Sequence, residues 1–195
     1  MAGEHSIPSA RETELLDKAY QYALEHGLGD LSLRPLAAAI GSSPRVLLYL
    51  FGSKDGLIRA LLTRARASEL SLLERAPRPH ETDPSGIDVA ATQVWSWLSA
   101  AEHRALLTLW VEGYGRSLVD PAGPWAGFAR ATVEDWLTLL AAGQPAEDRD
   151  TADGQAQRTL VLAVLRGALL DLLATGDVER TTAAVHQQLA ALRSR

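Results

Sequence analysis

Three side chains at helical spacing suggest the first chemistry in this sequence. Arg45, Leu48 and Tyr49 stand at i, i+3 and i+4, so a helix places them on one side, while Leu47 and Phe51, four apart, share another. An arginine at the start of such a face can donate a bidentate pair to guanine O6 and N7, worth about 1–3 kcal/mol of base discrimination. Tyr49 can donate its hydroxyl to a phosphate, and Lys54 can do likewise beside the free N–H groups of the next helix. A cation in a first turn opposes the helix dipole, so Lys54 makes more sense with a phosphate nearby than as a stabiliser of its own helix. Ser43 and Pro44 flank the same helix start, and Pro44 or Val46 can press on a thymine methyl. The bland alternatives are a solvated arginine and an ordinary helix start.

A second group lies further along. All five tryptophans, Trp95, Trp97, Trp110, Trp125 and Trp136, come after residue 86, together with Tyr114 and Phe128. Aromatic side chains between helices commonly line a small-molecule cavity, and they serve equally as plain core. Trp110 and Tyr114, one turn apart, are the foremost lining candidates, with Trp95 and Phe128 opposite; the polar candidates are Arg166, Glu112 and His103, of which His103, following Glu102 near a helix start, reads as exposed or capping rather than as a ligand. Catalytic patterns are missing from the sequence: there is no GxxxxGK[ST] loop and no Gly-x-Ser-x-Gly elbow, and the acidic pairs Glu134-Asp135 and Glu147-Asp148 are mere neighbours. The chain has no cysteine, and its five histidines lack His-x-x-x-His or Glu-x-x-His spacing. No catalytic residue, metal or cofactor is therefore expected.

The elements that must hold these side chains all read as helices, because Ala, Leu, Arg and Glu are common and no alternating segment lasts. Residues 9–26 form an apolar-faced helix stopped by Gly27. Ser32 starts a short helix with Pro35 inside its first turn, and Gly41 ends it; Ser43 and Pro44 start another, which runs to Phe51. After Gly52, Ser53 caps a long helix over 54–75 with Leu57, Leu61, Ala65 and Leu72 on apolar positions. Residues 76–86, rich in proline, read as a loop, and helices resume over 87–101, 102–119 and 125–142. A polar loop over 144–154 precedes helices over 155–175 and 177–194. The fold class is all-α with about nine helices, and two short helices across a tight glycine turn, behind a longer one, have the geometry of a helix-turn-helix DNA-binding unit. The division is residues 1–52 for that unit, 53–75 for a connecting helix, and 76–195 for a second helical domain.

The order LSLRPLAAAIGSSPRVLLYLFGSKDGLIRALL, residues 31–62, resembles the TetR (tetracycline-repressor-like) family of bacterial transcriptional regulators. The resemblance is carried by Ser32, Gly41, Ser43, Tyr49, Phe51, Ser53, Lys54 and Leu57 and covers roughly the first third of the chain. It implies DNA contacts from Arg34, Ser43, Pro44, Arg45, Val46, Leu48, Tyr49 and Lys54, a small-molecule effector, and a homodimer on a palindromic double-stranded operator. The sequence departs from the family at Val46, Leu48 and Leu50, where Thr, Tyr and His are common. Apolar side chains there either read thymine methyls and sugar edges or weaken binding. The resemblance also implies that the last two helices pair with a second copy in a four-helix bundle, a role suited to Leu162, Leu165, Leu169, Leu172, Val185, Leu189 and Leu192.

Composition bounds these expectations. Hydrophobic residues make up 47% of the 195 and charged residues 22%, a globular balance. Residues 1–66 carry 8 basic and 7 acidic side chains against 11 and 17 in the remainder, so charge alone does not announce a nucleic-acid partner. The N-terminus lacks a secretory pattern, and Arg166 and Asp171 break the most apolar stretch, so a cytoplasmic protein with no membrane span is expected. An apolar or aromatic effector suits the ring-rich second part. The competing reading is a helical small-molecule-binding or interaction protein whose helix-turn-helix binds DNA weakly or not at all.

Overall fold

The computed structural model describes residues 9–75 and 86–193, without the side chains of residues 70, 72–75 and 193. The expected N-terminal features before residue 9, the loop over 76–85 and the apolar role of Leu72 lie outside the described residues. Among the described residues there are nine α-helices and no strand. They are α1 (Ala10–His26), α2 (Leu33–Ala39), α3 (Pro44–Phe51), α4 (Lys54–Arg75), α5 (Ile87–Ser99), α6 (Arg104–Val119), α7 (Phe128–Ala142), α8 (Ala152–Thr175) and α9 (Val178–Arg193), with a 3₁₀ turn over Ala101–His103.

Local chemistry sets most of these boundaries. The Ser9 side chain accepts from Glu12 N at 3.1 Å to start α1, and Ser43 accepts from Val46 N at 3.3 Å to start α3. Ser32 holds the N-cap position of α2 without a side-chain bond, so its hydroxyl does not fasten that helix. Helix α7 starts three residues later than the aromatic periodicity suggests, because Gly127 sits at φ +76°, outside any right-handed helix. Helix α8 starts earlier than expected, since Thr151 accepts from Gly154 N at 3.0 Å and opens it at Ala152.

Helix α4 joins the two parts. Its Leu57, Leu61 and Ala65 are buried in the shared core, and it packs on α1 and α3 on one side and on α6 and α7 on the other. At the second junction Arg66 donates from Nε and Nη2 to the Asp135 carboxylate, the latter bond at 2.8 Å. Three residues on, Glu69 is only 2% exposed and accepts from Trp136 Nε1 at 3.0 Å. No described helix is long and apolar enough to cross a membrane.

Burial pushes the Glu69 carboxyl up to about 8, far above an ordinary glutamate, with Asp135 adding to the rise while the Trp136 bond and Arg66 oppose it. The folded protein thus keeps a proton that the unfolded chain releases. The penalty is absent below the unfolded value of 4.5, grows as pH rises towards about 8, and is constant beyond it. Glu69→Gln retains an oxygen for the Trp136 N–H and removes the titration. Urea unfolding from about pH 5 to about pH 9 will show a flatter stability profile for the variant, which gains a few kcal/mol over the native chain at the alkaline end. An unchanged slope would refute the role of Glu69.

Candidate functional site

Helix α3 has eight residues, too few to be stable alone, and one buried side chain holds it. Leu47 is 1% exposed, and Phe51 and Leu50 pack partly buried against the same core. Leu50 therefore belongs to the anchored side, and the apolar departures left on the outer face are Val46 and Leu48. That outer face holds Arg45, Val46, Leu48 and Tyr49, all exposed, with Tyr49 at 85%. A tyrosine so far from water-excluding contacts has its hydroxyl and most of its ring available to a partner.

The positions of the other candidates follow from the turns around α3. Arg34, Pro44 and Lys54, from α2, α3 and α4, line one open cleft of about 660 Å³ together with residues 29–33. Arg34 and Lys54, twenty residues apart in sequence, thus stand on the same surface beside the exposed face of α3. The N-terminus of α4 opens there too, where Ser53 Oγ accepts from Gly56 N at 2.9 Å. Gly56 has a structural reason that its local sequence does not show: a Cβ on it would overlap the Phe51 carbonyl oxygen at the end of α3. Only a residue without a side chain lets α4 leave α3 at this angle.

The ring-rich part encloses a small cavity of about 10 Å³, lined by Leu98, Trp110, Trp136, Leu162, Leu165, Arg166 and Leu169. Trp110 and Arg166 meet at this cavity, and Tyr114 stands behind them, its ring 5.1 Å from that of Trp110 and 5.0 Å below the Arg166 guanidinium. Trp95 and Phe128 are not in the lining. Trp95 is turned to α9, where its Nε1 donates to Thr182 Oγ1 at 3.0 Å, and Phe128 packs by Gly113 and Leu62 towards α4. Trp136 and Leu98 take the facing places instead; the sequence placed Trp136 on an apolar helix face without saying which neighbour it meets.

The polar candidates separate as well. His103 Nδ1 donates to the Trp97 carbonyl oxygen at 2.8 Å and the ring stacks on that of Trp97, closing the end of α5. Glu112 faces the first three helices: its Oε2 accepts from Leu28 N at 2.9 Å in the turn between α1 and α2, and Arg116 pairs with it at 3.6 Å. Among the described residues no group of three or more His, Cys, Asp or Glu side chains is placed to hold a metal ion.

The leucines of the last two helices are placed differently from the expectation for an exposed pairing face. Leu162, Leu165, Leu169, Leu172, Val185 and Leu189 are buried inside this chain, and Leu192 packs partly buried against the same core. The outward side of α8 is another stripe, Ala156, Leu160, Ala163, Gly167, Leu170 and Ala174, with Leu160 43% and Leu170 47% exposed. These positions alternate steps of four and three, the spacing of a helix–helix seam.

Comparison with known proteins adds to this geometry. Residues 15–61 match the family profile described as bacterial regulatory proteins, tetR family. No curated protein matches the chain. Among solved structures, a TetR transcription regulator from Haloarcula marismortui ATCC 43049 is similar with TM-score 0.72 and 18% identity over 92% of this chain and 96% of its own. A transcriptional regulator from Rhodococcus sp. Rha1 is similar with TM-score 0.72 and 21% identity, over 92% of this chain and 94% of its own. The multidrug binding protein EbrR, solved with imidazole, is similar with TM-score 0.67 and 25% identity over 96% and 95% of the two chains.

The close approach at Gly56 yields a test of what positions α3. Gly56→Ala will lower stability by about 1–3 kcal/mol in urea unfolding because backbone must move. Gly115→Ala on α6, where an added methyl meets nothing within 4 Å, will be neutral or stabilising by up to about 1 kcal/mol. Equal effects at the two sites would mean that the α3–α4 junction is not constrained.

Proposed function

We propose that this chain, whose residues 15–61 match the profile of the tetR family of bacterial regulatory proteins and whose fold is that of solved TetR-type regulators, is a ligand-responsive transcriptional regulator, a repressor that binds a palindromic operator as a homodimer. The observation that carries this reading is the division of α3 into a buried Leu47 and an outward Arg45, Val46, Leu48 and Tyr49, beside Arg34 and Lys54 on one surface. Arg45 reads a base edge, Val46 and Leu48 lie against methyls and sugar edges, and Arg34, Tyr49 and Lys54 hold phosphates. Ser43 and Pro44 set the start of the reading helix. The N-terminal unit over 1–52 and the connecting helix to residue 75 do this work, and residues 76–195 bind the effector and the second copy. A DNA partner places the protein in the cytoplasm, and the reading requires no catalysis.

The second copy is assigned to the outward stripe of α8. Its six positions span about 27 Å of helix, and its alanines and glycine permit close approach of a partner helix. The buried leucines, from Leu162 to Leu192, support it from inside. Two-fold pairing sets the two α3 helices to read half-sites roughly 34–36 Å apart.

Effector binding shifts a population. Trp110 and Tyr114 stand on α6, the helix whose Glu112 holds the α1–α2 turn, and Trp136 bonds to Glu69 on α4. A ligand that fits one spacing of α6, α7 and α8 better than another therefore moves both links and changes the separation of the reading helices. It weakens DNA binding by its differential affinity for the two arrangements.

Selection of random duplex DNA on the purified protein, at about 50 and about 200 mM salt, tests the reading. The expected product is a palindrome with half-sites one turn apart, and no enrichment from folded protein would favour the helical binding-module alternative. With that operator, Arg45→Ala will relax preference at one position of each half-site, by about 1–3 kcal/mol. Lys54→Ala will weaken all sequences alike and reduce the salt slope by about one per phosphate lost. Leu170→Arg, at an exposed site, will leave thermal unfolding of the subunit intact and give a monomer in sedimentation; a persistent dimer would move the interface elsewhere.

A further inference from the structure

The cavity between α5, α6, α7 and α8 has an unusual chemical bias. Its seven lining side chains include three polar groups, the Trp110 and Trp136 indole N–H groups and the Arg166 guanidinium, and every one of them is a donor. No lining side chain can accept a hydrogen bond. Trp136 Nε1 is already bound to Glu69, whereas Trp110 Nε1 and Arg166 Nε are buried without an acceptor among the described residues. Arg166 also has no ion pair among the described residues; its only marked polar contact is with the face of Tyr114.

A buried donor without a partner is destabilising, and more so when it is charged. Two such donors lining one apolar space are what remains when the acceptor is a ligand. One cation matches one negative charge, and the fork of a guanidinium matches the two oxygens of a carboxylate. A phosphate dianion would leave a charge unbalanced, since no second cation lines the space. A cationic or donor-rich molecule would meet Arg166 with like charge and find nothing to accept its hydrogens. The Leu98, Trp136, Leu162, Leu165 and Leu169 walls suit a flat apolar body.

We propose that this cavity takes a hydrophobic monocarboxylate, with its carboxylate accepting from Arg166 and Trp110 and its aromatic or aliphatic body among the leucines and Trp136. This rests on the reading of the cavity as the effector site. At about 10 Å³ the closed space holds no more than a single water, so such a ligand must part α6 and α8 as it enters. That separation supplies the difference in affinity that a responsive regulator needs.

The test uses three planar probes of one shape and different charge on the full chain: 2-naphthoate, 2-naphthamide and 2-naphthamidine, compared by titration calorimetry. The carboxylate is expected to bind about tenfold or more tightly than the amide, and the amidine weakest. Arg166→Met, which keeps the apolar volume, will bring the carboxylate down to the level of the amide and leave the amide unchanged; Arg166→Lys, which keeps the charge and loses the fork, will fall between. Because the ranking on the native protein stands without any variant, a variant that fails to fold does not shield the proposal. Equal affinities, or a preference for the amidine, overturn the ligand class. A carboxylate preference that survives Arg166→Met places the site elsewhere and overturns the proposal. Binding of none of the probes removes the cavity as a ligand site. Tight carboxylate binding that leaves operator affinity unchanged upholds the cavity chemistry and counts against ligand-responsive repression instead.

Discussion

The functional surface depends on one constraint, that an eight-residue helix cannot hold itself together. A helix of this length has no stability in water, so α3 exists because Leu47 is buried and because Ser43 and the α4 junction close its two ends. Burying one leucine contributes about 1.5–3 kcal/mol, enough to fix the helix and little enough that its neighbours decide its angle. Gly56 acts at this point, letting α4 start directly against the Phe51 carbonyl. Every exposed side chain of the outer face inherits its direction from these few contacts.

The same economy governs the link between the two parts of the chain. Three polar bridges cross it, Arg66 to Asp135, the Trp136 N–H to Glu69 and the Leu28 N–H to Glu112, the Glu69 bond buried and the other two partly shielded from bulk water. Shielding makes such a bond costly to break without replacement, so α4 and the α1–α2 turn follow α7 and α6 when these move. Close packing around Gly113, with Leu62 on one side and Phe128 on the other, leaves no slack to absorb a displacement. The cavity with unmet donors lies among α5, α6, α7 and α8, so two of the helices that line it also carry a bridge.

Periodicity shows that a helix face is apolar, but not which neighbour covers it. Trp95 and Trp110 look equivalent in the sequence, yet one donates to Thr182 on α9 and the other is left without an acceptor beside Arg166. Helix α8 is apolar nearly all round, and its larger leucines seemed the natural partners for a second copy. The fold turns those leucines inward and leaves the side with alanines and a glycine outward, because its larger side chains fill the space between α5, α7 and α9. Leu50, placed by resemblance at a groove-facing position, is instead drawn half-buried onto the core beside Phe51.

What could be read from residue order alone is what arises within a few residues: the helix starts at Ser9, Ser43 and Ser53, the breaks at Gly27, Gly41 and Gly52, and the sidedness of α3. Caps and turns involve neighbours three or four apart, so their chemistry is complete in the local sequence. Contacts across the fold are of another kind. That Arg34 and Lys54 line one cleft, that Glu112 reaches Leu28 across 84 residues, and that Arg166 Nε is buried beside an apolar cavity without an acceptor among the described residues depend on how all the described helices pack simultaneously. The rotation of each helix is set by the summed fit of all its neighbours, and no local stretch of sequence contains that sum.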